Sequence, residues 1–371
     1  MDDQNKKEDC MKGVILAGGL GARLRPLTHT GAKQLIPIAN KPVLEYCIED
    51  LKEAGICDIG IVVGYTPERI KSITDTVGNG SRWGVNVTYI EQDAPRGIAH
   101  AIYCAKDFVG DQPFVVYLGD NMLKGGIAPY VERFKTEDID AGILFVHVDD
   151  PKPYGVAVLD GNGKIIDIQE KPEQPPSDLV IIGIYYFSPR VFRVIEQLNP
   201  SGRGEYEISD TLRVLIRSPA YRVNSARVNG WWDDTGTAEA VLRANRLVMI
   251  DLKPYCRGTV EQGALMTENV AIGEGTIVRT GSVIKGPVII GKNCLIDRAY
   301  LGPYTSIGDR CTVISGEIES SIIIGDTRIV LDPSKRIVNS LIGRHTVITS
   351  ARESLPSGYK LILGENSEVQ I

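Results

Sequence analysis

Long hydrophobic runs, paired cysteines and an excess of positive charge are all missing from this sequence of 371 residues. The most apolar run, residues 180–187, is far too short to cross a bilayer. The first ten residues are polar and mixed in charge, unlike a signal peptide. We therefore expect a cytoplasmic protein with no membrane partner, and we predict that residues 1–10 form a disordered tail.

The seven cysteines are scattered singly, with no Cys-x-x-Cys pair. This spacing indicates neither a zinc site nor a disulfide framework, and it favours reduced thiols. The formal net charge is −6. A mildly acidic chain is not typical of proteins that coat a nucleic acid polymer, although it can still bind one small nucleotide.

Aromatic residues make up only 6% of the chain, whereas hydrophobic residues make up 43% and glycine occurs 39 times. This apolar content supports packed cores and excludes disorder as the main state. The aliphatic, glycine-rich composition predicts many tight turns that join strands of Ile and Val. At about 150 residues per domain, the length predicts two or three domains.

The first two thirds of the chain alternate strand-like and helix-like segments. We predict strands at 12–17, 59–63 and 114–118 and helices at 42–54 and 99–107. This alternation predicts an α/β domain with a mixed, mostly parallel, Rossmann-like sheet. Ligands of such sheets bind beyond the carboxyl ends of the strands, so the loops at 18–25 and 119–121 are the candidate site.

The last third repeats an aliphatic residue about every six positions. The series is Ile272, Val278, Ile284, Ile290, Ile296, Leu301, Ile307, Val313, Ile318, Ile324, Val330, Ile342 and Ile348. A six-residue repeat predicts a parallel β-helix, in which three short strands form one coil around an aliphatic core. An α-helix with 3.6 residues per turn could not keep this series on one face. Residues 332–336 interrupt the repeat and are predicted to form an extruded loop.

These patterns predict a catalytic domain over residues 11–245, a linker over 246–262 and a β-helix domain over 263–371. A β-helix has exposed strand edges at its ends, where copies can associate, so we also expect a homo-oligomer.

A glycine-rich loop, Leu-Ala-Gly-Gly-Leu-Gly-Ala-Arg-Leu-Arg-Pro, spans residues 16–26. It lacks the third glycine of the dinucleotide fingerprint and the Gly-Lys-Ser/Thr of a P-loop. Its glycines let backbone N–H groups approach a phosphate closely, and the neighbouring cations Arg23 and Lys33 suit a triphosphate. On these residues alone, a solvated loop stays open as the alternative.

This loop, together with Lys33-Gln-x-x-Pro37 and Asn40-Lys-Pro42, resembles the signature of the sugar-phosphate nucleotidyltransferases. Further matching motifs are Tyr89-x-x-Gln92, Gly97-x-Ala-His-Ala101, Leu118-Gly-Asp-Asn121, Tyr154-Gly155, Glu170-Lys-Pro172, Arg203-Gly-Glu-x-Glu-Ile-x-Asp210, Trp232-x-Asp-Thr-Gly236 and the final Val-Gln-Ile. The resemblance covers residues 12–371. It is strongest to long-form glucose-1-phosphate thymidylyltransferases, which carry a C-terminal left-handed β-helix.

The resemblance implies that dTTP and glucose 1-phosphate give dTDP-glucose and pyrophosphate, by in-line attack of the sugar phosphate on the α-phosphorus. The implied catalytic cations are Arg23, Lys33 and Lys171. The implied nucleotide-binding residues are Leu16, Ala17, Gly18, Gly19, Gly21, Gln92, Gly97 and Asp120. The implied sugar-phosphate-binding residues are Asn121, Tyr154, Gly155, Glu170, Lys171, Gly183 and Arg203. Mg²⁺ is the implied cofactor, held by Asp120 and Asp234.

Elementary chemistry agrees with several of these roles. Asp120 ends an apolar strand, where a carboxylate is costly unless it binds something. Carboxylates together with substrate phosphates are the ligands that Mg²⁺ prefers. The Gln92 amide can both donate and accept, which suits the N3–H and O4 edge of a pyrimidine. Phosphoryl-type transfer depends mainly on positioning and electrostatics, so cations are expected to carry it without a general base.

Two departures from the family pattern leave alternatives open. Ala22 stands where the family usually has Thr, and His100 stands where the short thymidylyltransferases usually have Gln. Because His at this position occurs in the long form and also in uridylyltransferase-like members, UTP or broad nucleotide use is the first alternative. The second is a bifunctional acetyltransferase, for which His345 is the one candidate base in the β-helix. The third is a non-catalytic regulatory paralogue, which the intact site residues argue against.

Overall fold

The computed structural model describes residues 11–350, so the predicted tail at 1–10 and the final Val-Gln-Ile lie outside the described residues. The described chain divides into two compact units. The sheet unit comprises 11–20, 30–35 and 43–234, and the coil unit comprises 21–29, 36–42 and 235–350. Within 11–350, no helix has both the length and the apolar character needed to cross a membrane.

Residues 11–250 contain thirteen strands and eight α-helices. The strands are β1 (Lys12–Leu16), β2 (Pro37–Ile38), β3 (Lys41–Pro42), β4 (Asp58–Val63), β5 (Asn86–Glu91), β6 (Phe114–Leu118), β7 (Asn121–Leu123), β8 (Ala141–His147), β9 (Gly155–Leu159), β10 (Ile165–Glu170), β11 (Leu179–Phe187), β12 (Val223–Arg227) and β13 (Trp232–Asp234). The helices are α1 (Val43–Glu53), α2 (Pro67–Val77), α3 (Ile98–Cys104), α4 (Lys106–Val109), α5 (Ala128–Thr136), α6 (Val191–Ile195), α7 (Ile208–Arg217) and α8 (Ala238–Ile250).

The sheet unit is built on a nine-stranded mixed sheet. Its main path is β10-β9-β11-β6-β1-β4-β5, while β8 pairs with β11 and β12 pairs with β8. Strands β6, β1, β4 and β5 run parallel to one another, and β11 runs antiparallel to β6, β8 and β9. This topology confirms the predicted mixed, Rossmann-like sheet, and it locates the antiparallel strands, for which the sequence analysis gave no positions.

Alternating side chains of β1 enter two different cores. Val14 packs in the apolar cluster that includes residues of α3, α6 and α7, whereas Ile15 packs in the cluster that includes residues of α1, α2 and α5. Both side chains are fully buried, and each such burial contributes about 1.5–3 kcal/mol. The sheet is therefore covered by helices on both faces, which explains why β1 reads as a continuous apolar run.

The helix predicted at 99–107 is two short helices, α3 and α4, separated at Ala105. Ala105 has φ −85° and ψ 2°, outside regular helical geometry, and its N–H donates to Ile102 O at 3.0 Å. The apolar pattern continues across Ala105, which is itself fully buried. Hydrophobic spacing alone therefore could not reveal the break.

Over residues 255–350, the coil unit contains seventeen short strands that form three parallel sheets. The strands are β14 (Tyr255–Cys256), β15 (Thr259–Val260), β16 (Leu265–Met266), β17 (Val270–Ile272), β18 (Ile277–Val278), β19 (Val283–Ile284), β20 (Val288–Ile290), β21 (Leu295–Asp297), β22 (Tyr300–Leu301), β23 (Thr305–Ile307), β24 (Thr312–Ile314), β25 (Glu317–Glu319), β26 (Ile322–Ile323), β27 (Arg328–Val330), β28 (Arg336–Val338), β29 (Leu341–Ile342) and β30 (Val347–Thr349). Successive strands fall in successive sheets, as in the predicted left-handed β-helix, and the predicted fold class is confirmed.

The inward-facing residue of each strand stacks on its counterpart in the next coil. One such row is Ile272, Ile290, Ile307, Ile323 and Ile342. The prediction was wrong by one position in a single coil, because it placed Ile324 and Val330 in the core. The structure places their neighbours Ile323 and Ile329 there instead. Both dipeptides are apolar, so the hydrophobic pattern could not set the register.

Glycine recurs at one corner of the coils because the backbones approach closely there. A Cβ on Gly273 would lie 2.5 Å from the carbonyl of Gly291, and a Cβ on Gly308 would lie 2.5 Å from the nitrogen of Gly325. The left-handed corners, in contrast, are largely made by residues other than glycine, such as Asn293 with φ 54°. The glycines thus serve close packing between coils more than they serve turn formation.

The segment 246–262, predicted as a linker, contains the end of α8 and the first two strands of the coil unit. The predicted loop at 332–336 contains a turn in which Lys335 N donates to Asp332 O at 3.0 Å, and Arg336 already begins β28.

Within the coil unit, the buried amide of Asn245 joins three segments. Its Oδ1 accepts from the Ala39 N–H and from the Ser306 hydroxyl, both at 2.8 Å. Its Nδ2 donates to Tyr304 O at 3.1 Å. Asn40 adds a hydrogen bond from its Nδ2 to Ile307 O at 2.7 Å. Residues close to the start of the chain are therefore held against the coils by buried polar contacts.

Candidate active site

The glycine loop begins where β1 ends, with Leu16 and Ala17 buried beneath it. A Cβ on Gly18 would lie 3.0 Å from Gln92 Oε1, and a Cβ on Gly19 would lie 3.1 Å from Lys33 Cε. The two loop glycines are thus in direct reach of a predicted base-binding amide and a predicted phosphate-binding cation. Any larger residue at these positions would press on those side chains.

Two other residues predicted for this loop belong to the coil unit. Gly21 has φ 63°, in the left-handed region that favours glycine. Its carbonyl accepts from the Thr28 hydroxyl at 2.7 Å, within the coil unit. Arg23 lies in the short 3-10 turn Ala22–Leu24, where its side chain is exposed.

Asp120 follows β6 in a short turn and pairs with Lys33. The Lys33 ammonium lies against one Asp120 carboxylate oxygen, and the Asn121 amide donates to the other at 3.1 Å. Both side chains are mostly buried, 17% exposed for Lys33 and 14% for Asp120. The fold thus brings together two predicted site residues that are 87 positions apart in the sequence.

Opposing effects set the pKa of Asp120. Burial is the largest and raises it, because a charge loses hydration in a low-dielectric environment. The Lys33 charge and the hydrogen bonds from Lys33 and Asn121 together outweigh burial, so the pKa lies below its ordinary value of 3.8. Asp120 is therefore an anion at neutral pH, the form that can hold a divalent cation.

Asp234 is brought next to this region by the antiparallel pair of β7 and β13. In that pair Asp234 lies directly opposite Asn121, and Asp233 lies opposite Met122. Because side chains alternate along a strand, Asp234 shares a face with Asn121, whereas Asp233 points to the other face. The Tyr154 hydroxyl donates to Asp234 Oδ1 at 3.4 Å. Two carboxylates, Asp120 and Asp234, thus flank the Asn121 position.

Asn121 is held in one orientation by two donors. The Trp232 indole N–H and the Gly183 backbone N–H both donate to its Oδ1, at 2.8 and 3.1 Å. Gly183 has no space for a side chain, because a Cβ would overlap Leu118. Trp232 also contacts the Tyr154 ring edge-on, with ring centroids 5.4 Å apart.

Glu170, the last residue of β10, lies close to Lys171 and Arg203, the two cations predicted to bind the sugar phosphate. Arg203 Nη2 donates to its carboxylate at 3.3 Å, and Lys171 Nζ lies 3.8 Å from the same oxygen. Arg203 also donates to Glu207 at 2.9 Å. Gly155 is the partner of Glu170 in the β9–β10 ladder. The structure thus brings together four of the residues predicted for sugar-phosphate binding.

Lys171 adopts φ 43°, a left-handed conformation that is uncommon outside glycine. Its backbone N–H is fixed by donation to Tyr154 O at 3.0 Å. Backbone strain of this kind costs about 1–3 kcal/mol and concentrates at functional sites. The role of Lys171 in binding the sugar phosphate stays a prediction from the motif.

Gln92 is 6% exposed and lies beside the N-terminus of α3. Its Nε2 is 3.3 Å from Gly97 O and 3.2 Å from His100 Nδ1. Gly97 has φ 101°, and a Cβ there would lie 2.5 Å from Tyr206 O. Glycine is thus required at 97 for the loop to pack on the backbone of Tyr206.

Three residues next to the site were missing from the predicted set. Trp232 orients Asn121, His100 contacts Gln92, and Tyr206 stacks on His100 with ring centroids 6.2 Å apart. Trp232 and His100 stand inside motifs that had been recognised, so their position beside a predicted ligand was the available signal. Tyr206 carries no comparable signal, because its contact depends on the tertiary fold.

The chain matches the Nucleotidyl transferase family model over residues 12–249. It is 48% identical to the low-salt glycan biosynthesis nucleotidyltransferase Agl11 of Haloferax volcanii, covering 97% of this chain and 100% of that protein. It is 42% identical to a glucose-1-phosphate thymidylyltransferase of Streptomyces antibioticus, covering 97% of this chain and 99% of that one.

A similar solved structure is that of a Bacillus anthracis protein described as a glucose-1-phosphate thymidylyltransferase. The two sequences are 39% identical, and the structures superpose with a TM-score of 0.61. The match covers 66% of this chain and 98% of that one. The family model, the full-length relatives and the similar solved structure all agree with the motifs quoted above. The chain therefore belongs to the nucleotidyl transferase family and is a sugar-phosphate nucleotidyltransferase.

Proposed function

We propose that this enzyme transfers a thymidylyl group from dTTP to glucose 1-phosphate, releasing pyrophosphate. The observation that carries the proposal is the buried Lys33–Asp120 pair, which lies beside the glycine loop and next to the β7–β13 strands. A buried cation and a buried carboxylate facing each other at strand ends suit a triphosphate and its metal ion.

In this proposal Lys33 binds the triphosphate, while Gly18 and Gly19 leave space for its oxygens. Lys171 and Arg203 hold the phosphate of the sugar, and Glu170 accepts hydrogen bonds from sugar hydroxyls. The sugar phosphate is already an anion, so its oxygen attacks the α-phosphorus without a general base, and the pyrophosphate leaves opposite. The roles predicted for Arg23 and Gly21 stay proposals that rest on the motif.

Mg²⁺ is the proposed cofactor, held by Asp120 and Asp234. Asp120 is anionic at neutral pH and mostly buried. Two carboxylates, together with phosphate oxygens, are an oxygen donor set that Mg²⁺ prefers. When bound, the ion would offset negative charge on the phosphates. Lys33 occupies one Asp120 oxygen, so we expect it to move toward the phosphates when substrate binds.

The second candidate is the same reaction with UTP. Gln92 would contact the N3–H edge of the base, which uracil and thymine share, so this side chain does not distinguish the two nucleotides. We also expect a homo-oligomer, which light scattering on the purified protein would measure.

The test is a matrix of pyrophosphate release with Mg²⁺, in which dTTP, UTP, CTP, ATP and GTP are each combined with glucose 1-phosphate and other sugar 1-phosphates. The proposal expects the highest kcat/KM for dTTP with glucose 1-phosphate. A higher kcat/KM for UTP would establish the second candidate, and no pyrophosphate release from dTTP or from UTP would exclude both.

A further inference from the structure

Gln92 uses both of its amide protons inside the protein. One N–H faces Gly97 O at 3.3 Å and the other faces His100 Nδ1 at 3.2 Å. An amide nitrogen has two protons and no lone pair to offer, so both contacts require it to donate. Among the described residues, none donates to Gln92 Oε1, which faces the Gly18 position of the glycine loop.

His100 must therefore be an acceptor at Nδ1, with its proton on Nε2. Nε2 lies 3.5 Å from a carboxylate oxygen of Asp93, which favours that tautomer. The ring also stacks on Tyr206, with ring centroids 6.2 Å apart and planes 29° apart. Helix α3, which carries His100, begins at the Gly97 turn, so both acceptors for the Gln92 amide belong to one short segment.

We propose that His100 is a positioning residue that holds Gln92 with its oxygen toward the base and so makes the site select a ring N–H donor. Thymine and uracil offer such a donor at N3. Cytosine has a lone pair at N3 and is rejected, because its lone pair would face the lone pairs of Gln92 Oε1. This inference rests on the proposed function, in which Gln92 contacts the base.

The variant His100→Leu removes the acceptor and keeps an apolar side chain of moderate size. The Gln92 amide is then free to turn over and present its N–H protons to cytosine. We expect kcat/KM for dTTP to fall about tenfold and the dCTP-to-dTTP ratio to rise at least about tenfold. The matched variant His100→Asn keeps an acceptor oxygen near the Nδ1 position and should preserve the wild-type ratio.

The dCTP-to-dTTP ratio of each variant is measured by two methods. The first is pyrophosphate release with glucose 1-phosphate, and the second is calorimetry, which gives the dissociation constants of dTTP and dCTP. Circular dichroism of each variant reports folding. dGTP is a further control, because guanine carries a ring N–H at N1. The dGTP-to-dTTP ratio should therefore not change in His100→Leu.

An unchanged dCTP-to-dTTP ratio in folded His100→Leu overturns the inference, as does an equal change in His100→Asn. Wild-type protein that binds dTTP but releases no pyrophosphate would instead contradict the proposed function. In that case the binding ratios still decide the role of His100.

Discussion

The sheet unit and the coil unit use buried polar groups in different ways. In the coil unit several such groups bond to carbonyls of a neighbouring coil, as when Thr276 Oγ1 donates to Gly291 O at 2.6 Å and Cys294 Sγ to Gly308 O at 3.1 Å. In the sheet unit, Asp120 and Gln92 face other functional side chains at strand ends. Polar groups that repeat with the coils maintain the architecture, and polar groups that occur once at strand ends are the candidates for chemistry.

The sharpest test of this contrast is Asp120→Asn. The carboxamide is neutral, so it binds a divalent cation more weakly and forms no ion pair with Lys33, and we expect kcat for pyrophosphate release to fall by about 10²–10³-fold. The fold should be retained in circular dichroism. The matched control is Asp75→Asn on α2, where a carboxylate 62% exposed pairs with Lys71 at 2.6 Å. Activity of folded Asp120→Asn equal to that of Asp75→Asn would remove Asp120 from the site.

The coil unit should respond to truncation of its core with a loss of stability. Ile296 is fully buried in the coil core, and Ile296→Ala is expected to lower the free energy of unfolding by about 2–5 kcal/mol. Ile277 lies in the same sheet but is 40% exposed. Ile277→Ala should therefore cost less than about 1 kcal/mol in the same urea titration. Equal losses for the two variants would contradict the assignment of Ile296 to the coil core and of Ile277 to the surface.

The pH dependence of nucleotide selection sharpens the comparison within the sheet unit. Burial, with a smaller contribution from Arg96, lowers the pKa of His100 below its ordinary value of 6.5, although Asp93 acts in the opposite direction. At a pH above this lowered pKa, the His100 ring is neutral and its Nδ1 accepts a hydrogen bond from the Gln92 amide. As the pH falls below the lowered pKa, the ring becomes charged and Nδ1 can no longer accept. The preference for dTTP over dCTP should then decrease up to about tenfold. The titratable or charged side chains that face the ring are Asp93, Arg96 and Tyr206.

The control for this pH series is His100→Asn, whose side chain does not titrate. Its preference for dTTP should stay constant over the same pH range. A parallel decline in the variant would show that a different group titrates.

The smallest expected effect concerns the start of α8 in the coil unit. The Thr237 hydroxyl oxygen caps this helix by accepting from Ala240 N at 3.2 Å. Thr237→Ala should lower the free energy of unfolding by about 1 kcal/mol, whereas Thr237→Ser retains the acceptor and should lose less. Identical stability of the Ala variant and the wild type would show that this cap contributes nothing measurable.

Periodic features of the sequence predicted much of the fold. The strand over 114–118 has the predicted bounds, and six-residue spacing located most inward residues of the coils. The exceptions arise where the pattern is degenerate: at Ile323 and Ile324, either neighbour could fill the core, and only the register with Ile307 decides between them. The break at Ala105 was likewise hidden, because apolar spacing continues across it.

The candidate site was predictable where motifs carry chemistry and less so where tertiary contacts carry it. The Lys33–Asp120 pair and the Glu170–Arg203 contact join residues named from the motifs. The use of both Gln92 protons could not be predicted, because it depends on where the fold places Gly97 O and His100 Nδ1. A sequence specifies which groups are present, and the hydrogen-bond geometry specifies which of them remain available to a ligand.

The hydrogen bonds of Asn245 and Asn40 have a consequence for how such genes can be exchanged. Residues 36–42 belong to the coil unit although some 190 residues of the sheet unit separate them from position 235. A single recombination crossover between 43 and 234 would therefore pair coils from one parent with residues 36–42 from another. Such chimaeras should inherit mismatched partners for the Asn40 contact to Ile307 O and the Ala39 contact to Asn245. Exchange of the coil unit as an intact module requires three segments of the gene to move together.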